Sequence, residues 1–221
     1  MHFLVIGASG RTGQLVVSDA LERGHDVTVL IRKAKSFEAT EHLNIVVGTP
    51  EKKEDITRAF QGDFGKPAAV ITTLAAPRAT DSPFAKPIVP PYFMRDCIAN
   101  LTAVMKEQSV SKLVVMSAFG TGTSFPQTAW LLQMLFRYSQ MAAQYQDHDG
   151  VDAHIRATSL SWTLVRPPML KDEPSKALRI LDERTSELGM FDSCARVDAA
   201  KFLVKAAEQP DWEKKAVVIA N

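Results

Sequence analysis

The sequence has few of the residues that mark secreted, metal-binding or membrane proteins. Its 2 cysteines, Cys97 and Cys194, lack the spacing of a zinc site or a disulfide framework. No apolar run approaches the roughly 20 residues that cross a bilayer, and the first residues lack the charge and length of a secretion signal. These absences predict a soluble protein of the reducing cytoplasm.

An excess of charge of either sign is also lacking. The 26 Lys and Arg against 25 Asp and Glu give a net charge of +1, which provides no broad field for nucleic acid or an anionic membrane. The 5 histidines show no metal-ligand spacing. We therefore expect a small-molecule substrate, no metal, no nucleic-acid or membrane partner, and a monomer or homodimer.

Short β-branched apolar runs alternate with amphipathic stretches, which is typical of βαβ units. We predict a Rossmann-type α/β fold, a doubly wound parallel sheet with helices on both faces, as a single domain over residues 1–221. Predicted strands cover residues 3–6, 27–31, 44–47, 69–73, 112–116, 162–165 and 216–219, and predicted helices cover 12–23, 53–60, 93–107, 128–146, 152–158 and 197–208. Residues 77–93 and 171–194 break this rhythm and are predicted as substrate-side loops, the second as a small cap.

Between the first predicted strand and helix lies the glycine loop, Gly7-Ala8-Ser9-Gly10-Arg11-Thr12-Gly13. The first glycine permits a tight turn, the second a close backbone approach to phosphate, and the third close packing of the helix. The N–H groups and dipole at the helix start favour a pyrophosphate, and Ser9 and Thr12 add hydroxyl groups. A glycine motif in this strand-to-helix context predicts a dinucleotide cofactor.

The residues after the second predicted strand decide between NAD and NADP. Sites for NAD usually carry an acid about 20 residues past the glycine motif, to bind the ribose 2′-hydroxyl. Here Arg32 and Lys33 follow Ile31, and a guanidinium pairs well with a 2′-phosphate, which Arg11 could also reach. We predict NADP (NADPH); the alternative is that both residues are ordinary solvated charges.

Four segments in order, residues 7–13, 27–32, 116–120 and 159–168, together resemble the atypical short-chain dehydrogenases. The resemblance is closest to the NmrA-like group and the biliverdin IX-beta (flavin) reductases. It implies NADP binding in a cleft and, in the reductase branch, hydride transfer to a planar aromatic acceptor such as a flavin or linear tetrapyrrole.

The same resemblance implies further cofactor contacts. Along the nicotinamide and its ribose it implies Leu74, Ala75, Ala76, Ser117, Pro168 and Met169. On the adenine side the family commonly has an Asp after the glycine that follows the third strand, whereas this sequence has Thr49.

Short-chain dehydrogenases usually activate a substrate oxygen with a Tyr and a Lys four residues later. The 3 tyrosines lack this partner, since Asp96, Ala142 and Asp149 lie four residues after Tyr92, Tyr138 and Tyr145. The candidate catalytic residues are therefore Ser117 as an orienting hydroxyl, His148 as a proton donor, and Tyr138. The alternatives are a serine bonded to its own loop and a solvated turn histidine between two acids.

The predicted helix over residues 128–146 carries apolar side chains at helical spacing, Trp130, Leu131, Met134, Leu135, Tyr138 and Met141. They are interpreted as core, with a substrate-pocket wall or a dimer face as alternatives.

Three functions fit these patterns. The first is an NADPH-dependent reductase of a hydrophobic aromatic small molecule, with the proton from solvent or His148. The second is a dinucleotide sensor or scaffold without turnover. The third is a non-redox isomerase or cyclase that retains the fold.

Overall fold

The computed structural model describes residues 1–77, 79–80, 85 and 88–221, and in these ranges one eight-stranded sheet includes strands from both ends of the chain. The strands are β1 (His2–Ile6), β2 (Asp26–Ile31), β3 (Leu43–Val47), β4 (Ala69–Thr72), β5 (Lys112–Met116), β6 (Ser161–Arg166), β7 (Met169–Lys171), β8 (Arg179–Asp182), β9 (Ser193–Ala195) and β10 (Lys215–Ala220). The helices are α1 (Arg11–Glu22), α2 (Lys53–Phe60), α3 (Phe93–Glu107), α4 (Trp130–Tyr138), α5 (Met141–Arg156) and α6 (Arg196–Glu208).

The sheet has the strand order β3-β2-β1-β4-β5-β6-β10-β8, in which all neighbours are parallel except β10 and β8. The first six positions follow the order of a dinucleotide-binding Rossmann sheet, and the chain reverses direction across the sheet between β1 and β4. Ligands of such sheets bind beyond the carboxyl ends of the strands at this point. The predicted doubly wound parallel fold is confirmed.

Alternating side chains of each central strand enter two separate apolar layers. Phe3 and Val5 pack on the face covered by α1 and α6, whereas Leu4 and Ile6 pack on the face covered by α2, α3 and α5. All four side chains are fully buried. A strand buried on both faces needs a continuous apolar sequence, which is why these runs were recognisable.

The largest difference from the predicted elements lies at residues 128–158. The predicted helix over 128–146 is two helices, α4 and α5, and α5 continues to Arg156 without the predicted break before residue 152. Asp147, Asp149 and Gly150 have the composition of a turn, but all three lie inside α5 and face other elements. Asp147 accepts hydrogen bonds from the backbone N–H groups of Met94 and Arg95 at 2.8 and 2.9 Å, so it caps the start of α3.

The segment 171–194 contains structure that the sequence pattern did not reveal. Its strand β8 extends the main sheet by pairing antiparallel with β10, and β7 and β9 form a separate parallel pair. Three of the four β8 residues are exposed, so the strand lacks the apolar alternation on which a sequence prediction depends. The predicted loop over 77–93 lies partly outside the described residues. Among the described residues, no helix is long and apolar enough to span a membrane.

A buried ionic network ties the end of β6 to α5 and to the segment after β8. Arg166 is fully buried and pairs with Asp152 of α5, while its second guanidinium nitrogen donates to the Thr123 hydroxyl at 2.8 Å. Arg156 pairs with Asp152 at 2.7 Å and with Glu183, which accepts from the Thr123 hydroxyl at 2.7 Å. The network therefore connects β6, α5 and the segment after β8 around the buried Arg166 cation.

Removal of its central carboxylate is expected to destabilise the protein strongly. Asp152→Ala leaves the buried Arg166 cation without its main partner, which costs about 3–5 kcal/mol in comparable sites. Urea unfolding monitored by circular dichroism measures this loss. Asp96→Ala is the matched control, because Asp96 is 62% exposed in its pair with Arg95 and should cost less than about 0.5 kcal/mol. Equal effects of the two substitutions would contradict the account of the network.

Candidate cofactor-binding site

The glycine loop forms the tight turn that its sequence predicts. Gly7 has a φ of 84°, and a Cβ there would lie 2.8 Å from the backbone carbon of Thr73. A Cβ on Gly13 would lie 2.2 Å from the Gly7 carbonyl oxygen and 2.7 Å from the Ala8 Cα. Both positions therefore require glycine: the first for the turn against β4, the second for the close packing of α1 on the loop.

Helix α1 begins directly after Gly10 and directs its first N–H groups out of the loop. Such groups have no intrahelical partner and carry the positive end of the helix dipole, which suits a phosphate. Thr12 is 4% exposed, and its hydroxyl oxygen accepts a hydrogen bond from Arg196 at 3.1 Å. Its hydroxyl hydrogen remains available to donate to an anion at the helix start.

A cleft of about 280 Å³ opens beside the loop. Seven residues that were predicted as cofactor contacts line it, namely Gly7, Ser9, Gly10, Arg32, Thr49, Leu74 and Ala75. The other lining residues are Leu30, Ile31, Gly48, Pro50, Thr73, Pro77 and Phe93. The cleft thus lies beyond the carboxyl ends of β1, β2, β3 and β4, where the sheet order reverses.

Among the described residues that line this cleft, Arg32 is the one with a charged side chain. It follows the last residue of β2 and is exposed to solvent. No Asp or Glu lines the cleft in the described part of the chain, so no carboxylate there competes for the guanidinium. Arg11 is not among the residues that line the cleft, and its guanidinium pairs with Asp172 at 3.2 Å. Its reach toward the 2′-phosphate stays a prediction.

On the side of the cleft where the resemblance implies the adenine, Thr49 occupies the position at which the family commonly has an Asp. The Thr49 hydroxyl donates to Glu51 at 2.9 Å, and the Thr49 N–H donates to Asp55 at 2.9 Å. A Cβ on Gly48 would lie 2.7 Å from the Asp55 Cβ, so glycine allows α2 to approach this turn. Asp55 therefore fixes the backbone of the turn from the first turn of α2. Its role was not predicted, because the contact depends on the approach of α2.

Ser117 lies one residue beyond β5 and is 5% exposed. Its hydroxyl contacts the Thr121 hydroxyl at 3.3 Å, and the Thr121 hydroxyl donates to the Ala118 carbonyl at 2.7 Å. Since the single Thr121 hydrogen is directed to that carbonyl, Ser117 is the donor in the contact between the two hydroxyls. The Ser117 oxygen keeps its lone pairs, so it can accept a hydrogen bond from a ligand amide.

His148 is not the turn histidine that the sequence predicts. It lies within α5 and is 7% exposed. Burial, with a smaller contribution from the Arg166 charge, lowers its pKa from 6.5 to about 4. The predicted role as a proton donor requires the charged form, which burial disfavours. The histidine is neutral at pH 7, which does not suit a proton donor.

This lowered pKa predicts how acid affects stability. The unfolded state takes up a proton on His148 below about pH 6.5, whereas the folded state takes it up only near pH 4. The native state therefore loses stability as the pH falls through this window, by up to about 3 kcal/mol.

His148→Gln should remove this part of the acid sensitivity. The free energy of unfolding of wild type relative to the variant is expected to fall between pH 7 and pH 4, as measured by urea titration at each pH. Burial raises the pKa values of the neighbouring Asp147 and Asp149 carboxyls, which has the opposite effect on stability. Because both proteins carry these carboxyls, the difference isolates the histidine; parallel pH curves would contradict the lowered pKa.

Helix α4 does not form core, contrary to the interpretation favoured from sequence. Trp130 and Tyr138 are 74% and 77% exposed. Leu131 and Met134 are also exposed, whereas Phe136 is buried. The apolar spacing had suggested burial, but only one side of the helix packs, against α5. Tyr138, a candidate catalytic residue, therefore lies on an exposed surface.

The remaining predicted contacts lie outside the cleft. Ala76 is buried next to it, Pro168 is half-buried just beyond β6, and Met169 begins β7 and is 54% exposed. The described residues thus bring the loop, the β2 end and the β4 end together, whereas Ser117, His148 and Tyr138 do not form one cluster. Arg196 and Asp172 at the start of α1, and Phe93 in the cleft wall, were not predicted as site residues.

The fold and the glycine loop define a dinucleotide-binding protein of the Rossmann class. A family model described as NAD(P)H-binding matches residues 7–210. The chain therefore belongs to this NAD(P)H-binding family, and the resemblance to the atypical short-chain dehydrogenases is confirmed.

Several known structures share this fold over almost the entire chain. A short-chain dehydrogenase/reductase from Veillonella parvula in complex with NADP is 13% identical, with a TM-score of 0.78 and coverage of 100% of this chain and 94% of that chain. ChuY, an anaerobillin reductase from Escherichia coli O157:H7, is 14% identical, with a TM-score of 0.75 and coverage of 99% and 96%. A Bacillus halodurans protein provisionally named an NAD-dependent epimerase/dehydratase is 20% identical, with a TM-score of 0.76 and coverage of 100% and 94%. At these identities the similarity establishes the fold.

Proposed function

We propose that the protein is an NADPH-dependent reductase that transfers hydride to a hydrophobic, aromatic small molecule such as a flavin, quinone, tetrapyrrole or secondary-metabolite intermediate. The observation that carries the proposal is the cleft beside the glycine loop, in which Arg32 is the charged lining residue among those described. A site with a cation at the end of β2 and no acid beside it favours a 2′-phosphate over a 2′-hydroxyl.

The residues present fit the cofactor. Gly10 lines the cleft and places no side chain between the loop and the phosphates. Glycine at positions 7 and 13 allows the turn and the close packing of α1, since a Cβ at either position would meet backbone atoms. The start of α1 offers N–H groups, and the Thr12 hydroxyl is oriented by Arg196. The lone pairs of Ser117 suit the carboxamide N–H of a nicotinamide, which makes Ser117 an orienting acceptor in this proposal.

The bound nicotinamide would supply a hydride, and the acceptor would take the accompanying proton from solvent. His148 is neutral and the Ser117 hydrogen is used within the loop, so neither residue suits the role of proton donor. This favours an acceptor that needs little acid catalysis. A quinone or flavin meets this condition, because its reduced anion is stable without a strong proton donor.

A second cavity of about 290 Å³ lies among aromatic side chains. It lies after β5 and is lined by Gly120, Phe125, Phe136, Arg137, Ala142, Tyr145, Gln146 and Asp149. The rings of Phe136 and Tyr145 stack at 3.9 Å, and the Tyr145 hydroxyl faces the Phe119 carbonyl at 3.5 Å, two residues from Ser117. In this proposal the aromatic side chains that line the cavity contact the acceptor.

The test is NADPH oxidation at 340 nm with flavin, quinone and tetrapyrrole acceptors, each at a range of concentrations. Turnover with at least one acceptor class, abolished when Gly13 is replaced by alanine, is the expected result. Saturable NADPH binding without oxidation by any class would overturn the reductase assignment.

The second candidate function is a dinucleotide sensor or scaffold. The observation that favours it is the separation of the three catalytic candidates, with His148 buried and Tyr138 on an exposed helix. The same acceptor panel distinguishes the two functions, because a sensor binds NADPH without oxidising it.

A further inference from the structure

The start of α1 already holds an anion from the chain itself. Asp172 follows β7, and its two carboxylate oxygens contact two different arginines. One oxygen accepts from the Arg11 guanidinium at 3.2 Å and the other from Arg196 at 2.6 Å. Arg11 is the first residue of α1, and Arg196 also donates to Thr12 in the first turn, so both arginines that hold the carboxylate belong to or contact the start of this helix.

We infer that Asp172 is an anionic placeholder in the pyrophosphate site: it competes with a dinucleotide pyrophosphate for Arg11 and is held in place by Arg196. This inference rests on the proposed cofactor binding and assigns roles to Asp172 and Arg196 within that same site.

The two arginines are not equivalent partners. The Arg196 side chain is 10% exposed, and it also donates to the buried Thr12 hydroxyl at 3.1 Å. The Arg11 side chain is 65% exposed, and the structure gives it this single ion pair among the described residues. Exposed ion pairs are weak and easily exchanged. A phosphate therefore takes Arg11 from Asp172, while the contact with Arg196 remains.

The charge of Asp172 agrees with competition between its carboxylate and the pyrophosphate. Hydrogen bonding and charge from Arg196, followed by the charge of Arg11, lower the pKa of Asp172, so the side chain is an anion at neutral pH. An anion close to the pyrophosphate opposes its binding. Asp172 begins the segment that leads to β8. When Arg11 is released, this segment loses one of its contacts with the start of α1 and keeps the contact with Arg196.

The direct test is the NADPH dissociation constant of Asp172→Asn, measured by equilibrium titration of nicotinamide fluorescence. We expect binding to become tighter by about fivefold, since a repulsive charge and a competitor for Arg11 are both lost. In an Arg11→Gln background the same substitution should have a smaller effect, because the competition for Arg11 no longer exists. Asp172→Ser gives a second variant with the same expectation, and thermal unfolding verifies that each variant is folded.

Two controls separate this effect from a general change of charge. Asp192→Asn removes the same charge from a different pair, with Arg179 at 3.3 Å, and should leave NADPH affinity unchanged. Adenosine 2′-monophosphate has no pyrophosphate, so its affinity should be equal for wild type and Asp172→Asn.

Unchanged or weaker NADPH binding by folded Asp172→Asn overturns the placeholder assignment. Equal tightening in the presence and absence of Arg11 also overturns the competition with this arginine. Failure of the reductase proposal is a different result: wild type binds NADPH, the variants differ as expected, and no acceptor is reduced. Absence of any NADPH binding by wild type overturns both.

Discussion

Replacing Arg32 by glutamate should weaken NADPH binding by about 2 kcal/mol or more, because a charge-assisted phosphate contact is lost and a repulsive one appears. This loss corresponds to roughly thirtyfold in the dissociation constant. NADH has no 2′-phosphate, so its affinity should remain the same or improve, since the new carboxylate can accept a hydrogen bond from the ribose 2′-hydroxyl. Equilibrium titration with both cofactors measures the two changes in one protein.

Arg184→Glu is the matched control for Arg32→Glu. It makes the same change of charge at an exposed arginine of the segment after β8, away from the cofactor cleft. The control should alter NADPH affinity by less than about twofold, within the range of ordinary surface substitutions. If Arg32→Glu leaves the NADPH affinity unchanged, Arg32 is a solvated surface charge and the assignment of a 2′-phosphate site fails.

Replacing Gly13 by alanine should disrupt the glycine loop itself. The new Cβ would lie 2.2 Å from the Gly7 carbonyl oxygen and 2.7 Å from the Ala8 Cα. Both atoms belong to the backbone, so α1 must move away from the turn. We expect a loss of about 3 kcal/mol in the free energy of unfolding, as for overpacked sites, and a loss of NADPH binding of about a hundredfold.

Gly24→Ala distinguishes a loop effect from a general cost of replacing glycine. Gly24 has a φ of 78° after the end of α1, and an added Cβ there would meet no atom within 4 Å. The variant should lose about 1–2 kcal/mol of stability through backbone strain alone and should keep wild-type NADPH affinity. A Gly13→Ala protein that binds NADPH normally would contradict the proposed position of the pyrophosphate.

Much of the fold could be predicted because its central strands are buried on both faces. Runs such as Phe3 to Ile6 are continuous and apolar, and the helices Lys53–Phe60 and Phe93–Glu107 were predicted with the bounds that the structure shows. The failure inside α5 has a local cause. The two acids beside His148 suggested a turn, but the helix continues through Gly150, where a Cβ would lie 3.2 Å from the Arg95 side chain, so the glycine permits close packing of α5 on α3.

The candidate site was predictable where one short segment determines the geometry. The glycine loop is such a segment, and Arg32 follows directly from the end of β2. Asp172 and Arg196 could not be found in this way, because they reach Arg11 and Thr12 across 161 and 184 residues of sequence. His148 was misplaced because its acidic neighbours suggested solvent, whereas its burial depends on how α5 packs.

The most direct test of the account is an equilibrium titration of the wild-type protein with NADPH and with NADH, each displaced by adenosine 2′-monophosphate. The account predicts NADPH binding at least about thirtyfold tighter than NADH binding, equivalent to roughly 2 kcal/mol for the 2′-phosphate contact, and displacement by the monophosphate. Equal affinities for the two cofactors, or tighter binding of NADH, would contradict it.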